Sequence, residues 1–558
     1  MLVCTGMSSR TTAEKIRDEL HPLARTVLDN RNIDDLDAYL SPQYDEVLHD
    51  PYLFRQMQDF VNRIHQAVEN EERIVVFSDF DTDGIPAAVM WHDFFGEIEF
   101  ENFEIYIPKR DIEGFGLKPE QVKGFAADDT DLIITVDCGI RSHEAIEAAK
   151  AAGMDVVILD HHVAAETNPP ADIIINPALE EEIYPFKKLC GAGVVFKCLQ
   201  AFEADDRFDL PKNFTKGQLG MAAIATISDM VPLVGENRVL AHFGLKILRQ
   251  TTRPGLRELY QKGRIQGREL TEVDIGFTIG SHINAASRLD QPYAAFNLLT
   301  TRNHQEGKEL AKELNRLYRE RKRRTAKLKL DVAKITDGIS DEAAITIGSD
   351  EWKPALLGPV AHGLSDAYDR PVFLWGKMNG RRKGSARAGR HNVVGMLQAL
   401  DDSYLNAYGG HEMAGGFEIG DVDPDDLAAA LSSVASDHEI DGYGDGDDPV
   451  NLQLSDISWN LYQSLEKIGP FGVGNEAPMF RLTDVNVDGK RIFGAGNEHV
   501  SLTLTDGDSE HETICFFADK QMKEVKSGQS VAVTGAIEKT TFGFRRQLRF
   551  RMEEITIL

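Results

Sequence analysis

RIVVFSDFDTDG, residues 73 to 84, reads as a strand from Ile74 to Phe77 that opens onto Asp79, Asp81 and Asp83. Two further runs repeat the pattern. DLIITVDCG (131–139) carries Leu132 to Val136 into Asp137, and DVVILDHHV (155–163) carries Val156 to Leu159 into Asp160, His161 and His162. Short Val/Ile/Leu runs of this kind suit buried parallel strands. In open α/β sheets, ligands sit just beyond the carboxyl ends of such strands. Neighbouring strands would therefore pool these carboxylates and imidazoles in one crevice. So many anions need a counter-charge, and a divalent metal supplies it. The pattern implies a metal-dependent hydrolase.

The residues themselves refine this reading. Asp is common as a helix cap, which explains one Asp after the first strand but poorly explains three in five residues. Asp137 alone reads equally as cap or ligand; beside the other strand ends it becomes a natural bridging carboxylate. His161 and His162 are adjacent, so on extended backbone their side chains diverge, one toward metal and one toward substrate. Mixed carboxylate and imidazole ligation favours Mn²⁺, with Mg²⁺ as the alternative. Two ions roughly 3.5–4 Å apart would activate a water and clamp a phosphate. Arg110 closes the run FEIYIPK at another strand end, where a phosphate contact is chemically sensible.

Length and composition set the frame. At 558 residues the chain should hold several domains. No apolar run approaches the ~18 residues that span a bilayer, and MLVCTGMSSR lacks a signal-peptide core, so a soluble cytoplasmic protein is expected. The five cysteines lack a C-x-x-C pair, and neither a zinc site nor a disulfide framework is expected. The 90 acidic residues against 61 basic ones give a net charge of −29. That balance argues against a nucleic-acid partner at long range, unless the excess is a salt-adapted surface and basic groups cluster locally.

Such a cluster exists. The segment 303–335 reads as one long helix and carries Arg316, Arg319, Arg321, Lys322, Arg323, Arg324, Lys327 and Lys329 against Glu320. Before it, strands alternate with helical patterns such as HEAIEAAKAAG, the rhythm of a parallel sheet. After it, a second α/β region begins at EAAITIG, and DHEIDGYGDGDDP (437–449) reads as a linker. The remainder has short alternating strands (HVSLTLTD, SVAVTGAI, RRQLRFRM) that suggest a small β-barrel. The expected divisions are a helical extension at 1–50, a catalytic α/β domain at 51–302, a connecting helix at 303–340, a substrate-binding α/β domain at 341–445 and a barrel at 446–558.

SDFDTDG, VDCG and LDHH, in this order, resemble the signature motifs of the DHH phosphoesterase superfamily. IPKR (107–110), GFGL (114–117), CGAGVVFK (190–197), ISDMVPL (227–233), INAASRL (283–289), GGHEMAGGF (409–417) and GPFGVGNEAPMF (469–480) narrow the resemblance to the RecJ single-strand-specific exonucleases. The resemblance implies DHH and DHHA1 domains and a C-terminal OB-fold. It implies Asp81, Asp83, Asp137, His161 and Asp229 as metal ligands, with Asp79 ligating or supporting the site. Asp160 would orient a histidine, and His162 would contact the scissile phosphate or assist the leaving group. Asp229 owes its role to the resemblance alone, since ISDM within an apolar run reads as ordinary helix.

Arg288 resembles the family's phosphate-contacting arginine, and His411 falls in its Gly-rich motif, where backbone N–H groups approach a phosphate. Arg387, in GSARAGR, is a further candidate. The chain departs from the family at Ser281-His282, where Pro-Arg is usual, and at Ser287, where Gly is usual. For the barrel, Phe542, Phe544, Arg545, Arg546 and Arg549 are candidates for a single-strand groove. The implied activity is 5′-to-3′ hydrolysis of single-stranded DNA in repair, recombination or replication. RNA is a second ligand, helicase, single-strand-binding or replisome proteins are associates, and a monomer without membrane attachment is expected. Two rivals remain: a phosphatase or nanoRNase of short oligonucleotides, which usually lacks the barrel, and a silent replication scaffold, which would have lost motif acids that are all present here.

Overall fold

The computed structural model describes residues 11–31, 33–266, 269–336, 342–440, 448–494, 496–542 and 545–558. It divides into two units, one of residues 50–231 and 243–444, the other of residues 1–49, 232–242 and 445–558. Most of the expected linker, residues 441–447, lies outside the described residues. Among the described residues no helix is long and apolar enough to cross a membrane.

In the first unit the runs read from sequence become β1 (Ile74–Ser78), β2 (Phe103–Tyr106), β3 (Leu132–Val136), β4 (Asp155–Leu159) and β5 (Ile173–Ile175). They form one parallel sheet in the order β2-β1-β3-β4-β5. β1 and β3 are buried throughout, as strands covered on both faces must be. The strand order reverses between β1 and β3, where open sheets place their ligands. Register does the rest. Ser78 pairs with Val136 and Val136 with Leu159, so Asp79, Asp137 and Asp160 leave the sheet level with one another.

The predicted connecting helix runs His304–Thr336, with Leu314, Leu317, Leu328 and Val332 buried along it. At 33 residues it is about 50 Å long. Beyond it, β6 (Ile345–Ser349), β7 (Val372–Met378), β8 (Arg381–Arg387), β9 (Leu405–His411) and β10 (Ala414–Ile419) form a second sheet ordered β6-β7-β8-β10-β9. Only β6 and β7 pair in parallel; the other pairs are antiparallel.

The second unit contains β11 (Val450–Leu452), β12 (Phe480–Phe493), β13 (His499–Thr505), β14 (Glu510–Cys515), β15 (Ser530–Phe542) and β16 (Arg545–Ile557). Pairing of β12 with β15 closes the last five into a barrel. The alternation seen in HVSLTLTD turns Val500, Leu502 and Leu504 inward, each fully buried. The N-terminal helices Thr12–Glu19, Pro22–Asn30 and Leu36–Leu40 contribute Ala13, Val27, Leu28 and Leu40 to the same core as Leu461, Phe480 and Phe550.

Candidate metal centre and phosphate cleft

The acids after β1 are arranged by the helix that follows them, Gly84–Glu97. Asp81 Oδ1 accepts hydrogen bonds from the Asp83 and Gly84 N–H groups at 2.8 and 3.2 Å. Asp83 is gripped from a different helix. Its carboxylate accepts from the Gly191 and Ala192 N–H groups at 2.6 and 2.7 Å, where the helix Gly191–Ala204 begins. A Cβ on Gly191 would lie 2.6 Å from Asp137 Cβ, which explains the glycine of the CGAG motif. Asp137 itself adopts a φ of +57°, uncommon for a residue with a side chain. That conformation turns its carboxylate into the crevice.

Asp160 is buried and fully used. One oxygen accepts from the Ile140 N–H at 3.0 Å; the other accepts from the His161 N–H at 2.7 Å and lies 2.7 Å from His162 Nδ1. Burial opposes its ionisation, yet the hydrogen bond and charge of His162 hold its carboxyl below the usual range. Burial likewise works against a charged His162, but Asp160 outweighs it and pushes the imidazole up to about 9. The two histidine rings stay only 4.4 Å apart, less divergent than extended backbone predicts, because Asp160 draws His162 back. His161 Nε2 points among the acids, 3.3 Å from Asp137, 3.7 Å from Asp83 and 3.8 Å from Asp229.

Asp229 reaches the site because its helix stops. The apolar run read as continuous helix ends at Ser228, and Asp229 caps it, donating its N–H to the Ala225 carbonyl at 2.8 Å. Potential ligand atoms then gather in three overlapping groups, each within 4.8 Å: Asp79–Asp81–Asp137, Asp83–His161–Asp229 and Asp137–His161–His162. Asp137 joins the first group to His161, as a bridging carboxylate would.

These residues fit a divalent pair. Burial first, then mutual repulsion, lifts Asp79, Asp137 and Asp229 well above the ordinary carboxyl range and Asp83 to about 6. Asp79 Oδ1 and Asp137 Oδ1 are buried without a hydrogen bond. Such atoms are rare unless something else satisfies them. The mixed oxygen and imidazole donor set suits Mn²⁺.

A pH consequence follows. A carboxyl whose folded pKa is raised is stabilising below its unfolded value near 4 and loses that contribution as pH rises through about 6 for Asp83. Cations binding the folded state reverse the loss. The gap in Tm between Mn²⁺-loaded and EDTA-treated protein should therefore widen steadily from pH 4 to pH 7. A gap independent of pH would contradict the shared cause assigned to these shifts.

Beside the acids lies a cluster of cations. Arg110 stands over the Phe80 ring at 5.2 Å. Arg288 caps the helix Ser281–Ser287 and donates to the Ala355 carbonyl at 2.6 Å, while its Nε is buried without a hydrogen bond. Desolvation, then Arg110, Arg321 and Arg387, lower its pKa. Arg387, on β8, donates to Ser385 Oγ at 3.0 Å and to the Ala386 carbonyl, and burial and Arg110 lower its pKa as well. Arginines so crowded call for an anion. Arg110 acts on Asp79 and Arg288 on Asp81, so the cationic group adjoins the acidic one.

Arg321, from the run of cations between residues 316 and 329, adds its charge to this cluster by acting on Arg288, and rests 5.5 Å from the Tyr318 ring. Glu313, like Glu320, pairs with Arg316, so that cation is shared with neighbouring acids. His282, at the departure from Pro-Arg, is buried and stacks on Tyr318 with ring centroids 4.1 Å apart. His411 ends β9, but its side chain falls outside the described residues, as do Phe544 and the side chains of Phe542 and Arg545. In the barrel, Arg549 pairs with Glu538 at 3.0 Å and lies 5.1 Å over Phe516. Phe516 and Phe517 are exposed aromatics that the alternation pattern does not single out.

Comparisons with known proteins agree with this geometry. Residues 73–226 match the DHH family, N-terminal domain, and residues 450–554 match the RecJ OB domain. The single-stranded-DNA-specific exonuclease RecJ of Salmonella typhimurium is 30% identical over 84% of this chain and 85% of its own. The crystal structure of RecJ in complex with Mn²⁺ from Thermus thermophilus superposes with a TM-score of 0.80 at 25% identity, covering 98% of this chain and 77% of that one. The single-stranded-DNA-specific exonuclease RecJ of Bacillus subtilis (strain 168) is 30% identical over 98% of this chain and 69% of its own length. The chain belongs to the RecJ family of single-stranded-DNA-specific exonucleases.

Proposed function

We infer that this chain is a metal-dependent exonuclease that hydrolyses phosphodiester bonds of single-stranded DNA in the 5′-to-3′ direction, serving repair, recombination or replication. The observation that carries the reading is the level emergence of Asp79, Asp137 and Asp160 from β1, β3 and β4, with arginines adjoining. A phosphodiester matches both halves of such a site: its oxygens suit the cations, and its phosphorus requires an activated water.

Asp79, Asp81, Asp83, Asp137, His161 and Asp229 would hold two Mn²⁺ ions, or Mg²⁺ in their place. Bound there, the ions would supply Lewis acidity and lower the pKa of a water. The protein's own groups do the rest. Asp160 keeps His162 protonated at neutral pH, so its second ring nitrogen, Nε2, can donate a proton where negative charge develops on the leaving oxygen. Arg110, Arg288 and Arg387 would fix the flanking phosphates, with His411 as a further donor. The barrel favours a long strand over a dinucleotide. Helicase, single-strand-binding or replisome proteins would supply that strand, and RNA is a second substrate to be tried.

Digestion of 5′- and 3′-labelled single strands with Mn²⁺, Mg²⁺ or EDTA tests the reading. Mononucleotide release from the 5′ end, absent in EDTA and on blunt duplex, is expected. Attack confined to strands of a few nucleotides would favour the short-oligonucleotide alternative.

A further inference from the structure

The motif GFGL has no part in the metal chemistry above. Phe115 stands between Gly114 and Gly116, whose φ angles of +80° and +74° lie in the left-handed region that side chains avoid. The loop around it is tied down. Glu113 accepts from the Lys109 N–H at 2.6 Å and from Gln121 Nε2 at 3.0 Å. The Ile107 N–H donates to the Tyr293 hydroxyl at 3.0 Å, and Leu117 is buried in the core. Phe115 itself is 47% exposed. Its ring meets the His162 ring edge-on, with centroids 5.7 Å apart and planes at 70°.

Single apolar residues on a surface are ordinary. Phe115 differs in that the loop fixes where it stands, and that place is beside the His162 ring in a crevice otherwise built of charged side chains. An aromatic ring held there offers a face or edge to something flat and apolar that accompanies an anion.

We propose that Phe115 stacks on the base of the nucleotide whose phosphate lies beside His162, making it a specificity-determining residue for unpaired strands. The proposal rests on the exonuclease reading and deepens it. Every nucleobase has a π-face, so the contact tolerates any sequence. In a duplex the faces of an internal base are covered by its neighbours, so the ring would be available only to an unstacked strand. The same loop carries Arg110, five residues earlier, on the Phe80 ring. One tethered loop thus presents a cation for phosphate and a ring for base.

The test uses synthetic strands with one abasic residue at the first, second or third position from the attacked end, read as kcat/KM with Mn²⁺. Wild type should lose about tenfold at one of these positions, the usual scale of a lost base–aromatic stack. Phe115→Leu should lose about tenfold on the intact strand and nothing more on that abasic strand, while Phe115→Tyr stays near wild type. The pH profile of Phe115→Leu should match wild type, because Asp160 still holds His162. Equal losses by Phe115→Leu on intact and abasic strands would overturn the proposal, as would a wild type indifferent to every abasic position; in both cases the exonuclease reading stands. A wild type that digests no intact strand would overturn both.

Discussion

Asp137→Asn should abolish Mn²⁺-dependent digestion, by at least about a thousandfold, while leaving the folded protein more stable in EDTA. Asn is the informative replacement because it tolerates the left-handed backbone that Asp137 occupies, whereas Ala would add strain. The activity loss follows from the position of Asp137, whose carboxylate is shared between the Asp79–Asp81 group and His161. Metal-ion stabilisation of a transition state amounts to several kcal/mol, and each 1.36 kcal/mol is a factor of ten. The stability gain follows from repulsion: burial and then Asp83, Asp81, Asp79 and Asp229 all disfavour its charged form. Differential scanning fluorimetry with and without EDTA, beside a nuclease assay, reads both effects. A variant that is active, or less stable without metal, would refute the bridging role.

His162→Gln should lower kcat by about 10²- to 10⁴-fold with little change in the Mn²⁺ concentration needed for half-maximal rate. The imidazole is raised to about 9, so it carries its proton throughout the neutral range and gives it up only in alkali. The wild-type rate should accordingly fall above about pH 9, and that limb should be missing in His162→Gln. Stopped assays from pH 6 to 10 would check it. Asp160→Asn should move the same limb to lower pH, because the carboxylate that sustains the proton is gone. An unaltered limb in either variant would assign the titration to some other group.

The parallel sheet was legible because its central strands, β1, β3 and β4, are almost wholly apolar and β-branched, a pattern that double-sided burial demands. The acids at its edge were legible for the same reason: a strand ending fixes where the next side chain goes. Asp229 was not: Pro232 signals a helix end nearby, but only the fold shows that the capping side chain lies with Asp83 and His161. Arg321 was hidden among like neighbours, and only the fold selects which face of a helix meets Arg288. The shared use of Asp160 by both histidines was likewise invisible. It needs the backbone to aim the His161 N–H and the His162 ring at one carboxylate oxygen, which three consecutive letters do not reveal.

The core that joins residues 13–40 to residues 452–555 has a consequence for how the chain is made. A ribosome releases the apolar faces of Val27, Leu28 and Leu40 long before it has synthesised Leu461, Phe480 or Phe550. At about 5–20 residues per second, that interval is roughly 20–100 s. Over this time the α/β unit between them can complete its own core, while the earliest helices wait for the last strands. The first helices made are therefore among the last to be packed, because their partners lie in the carboxyl-terminal barrel.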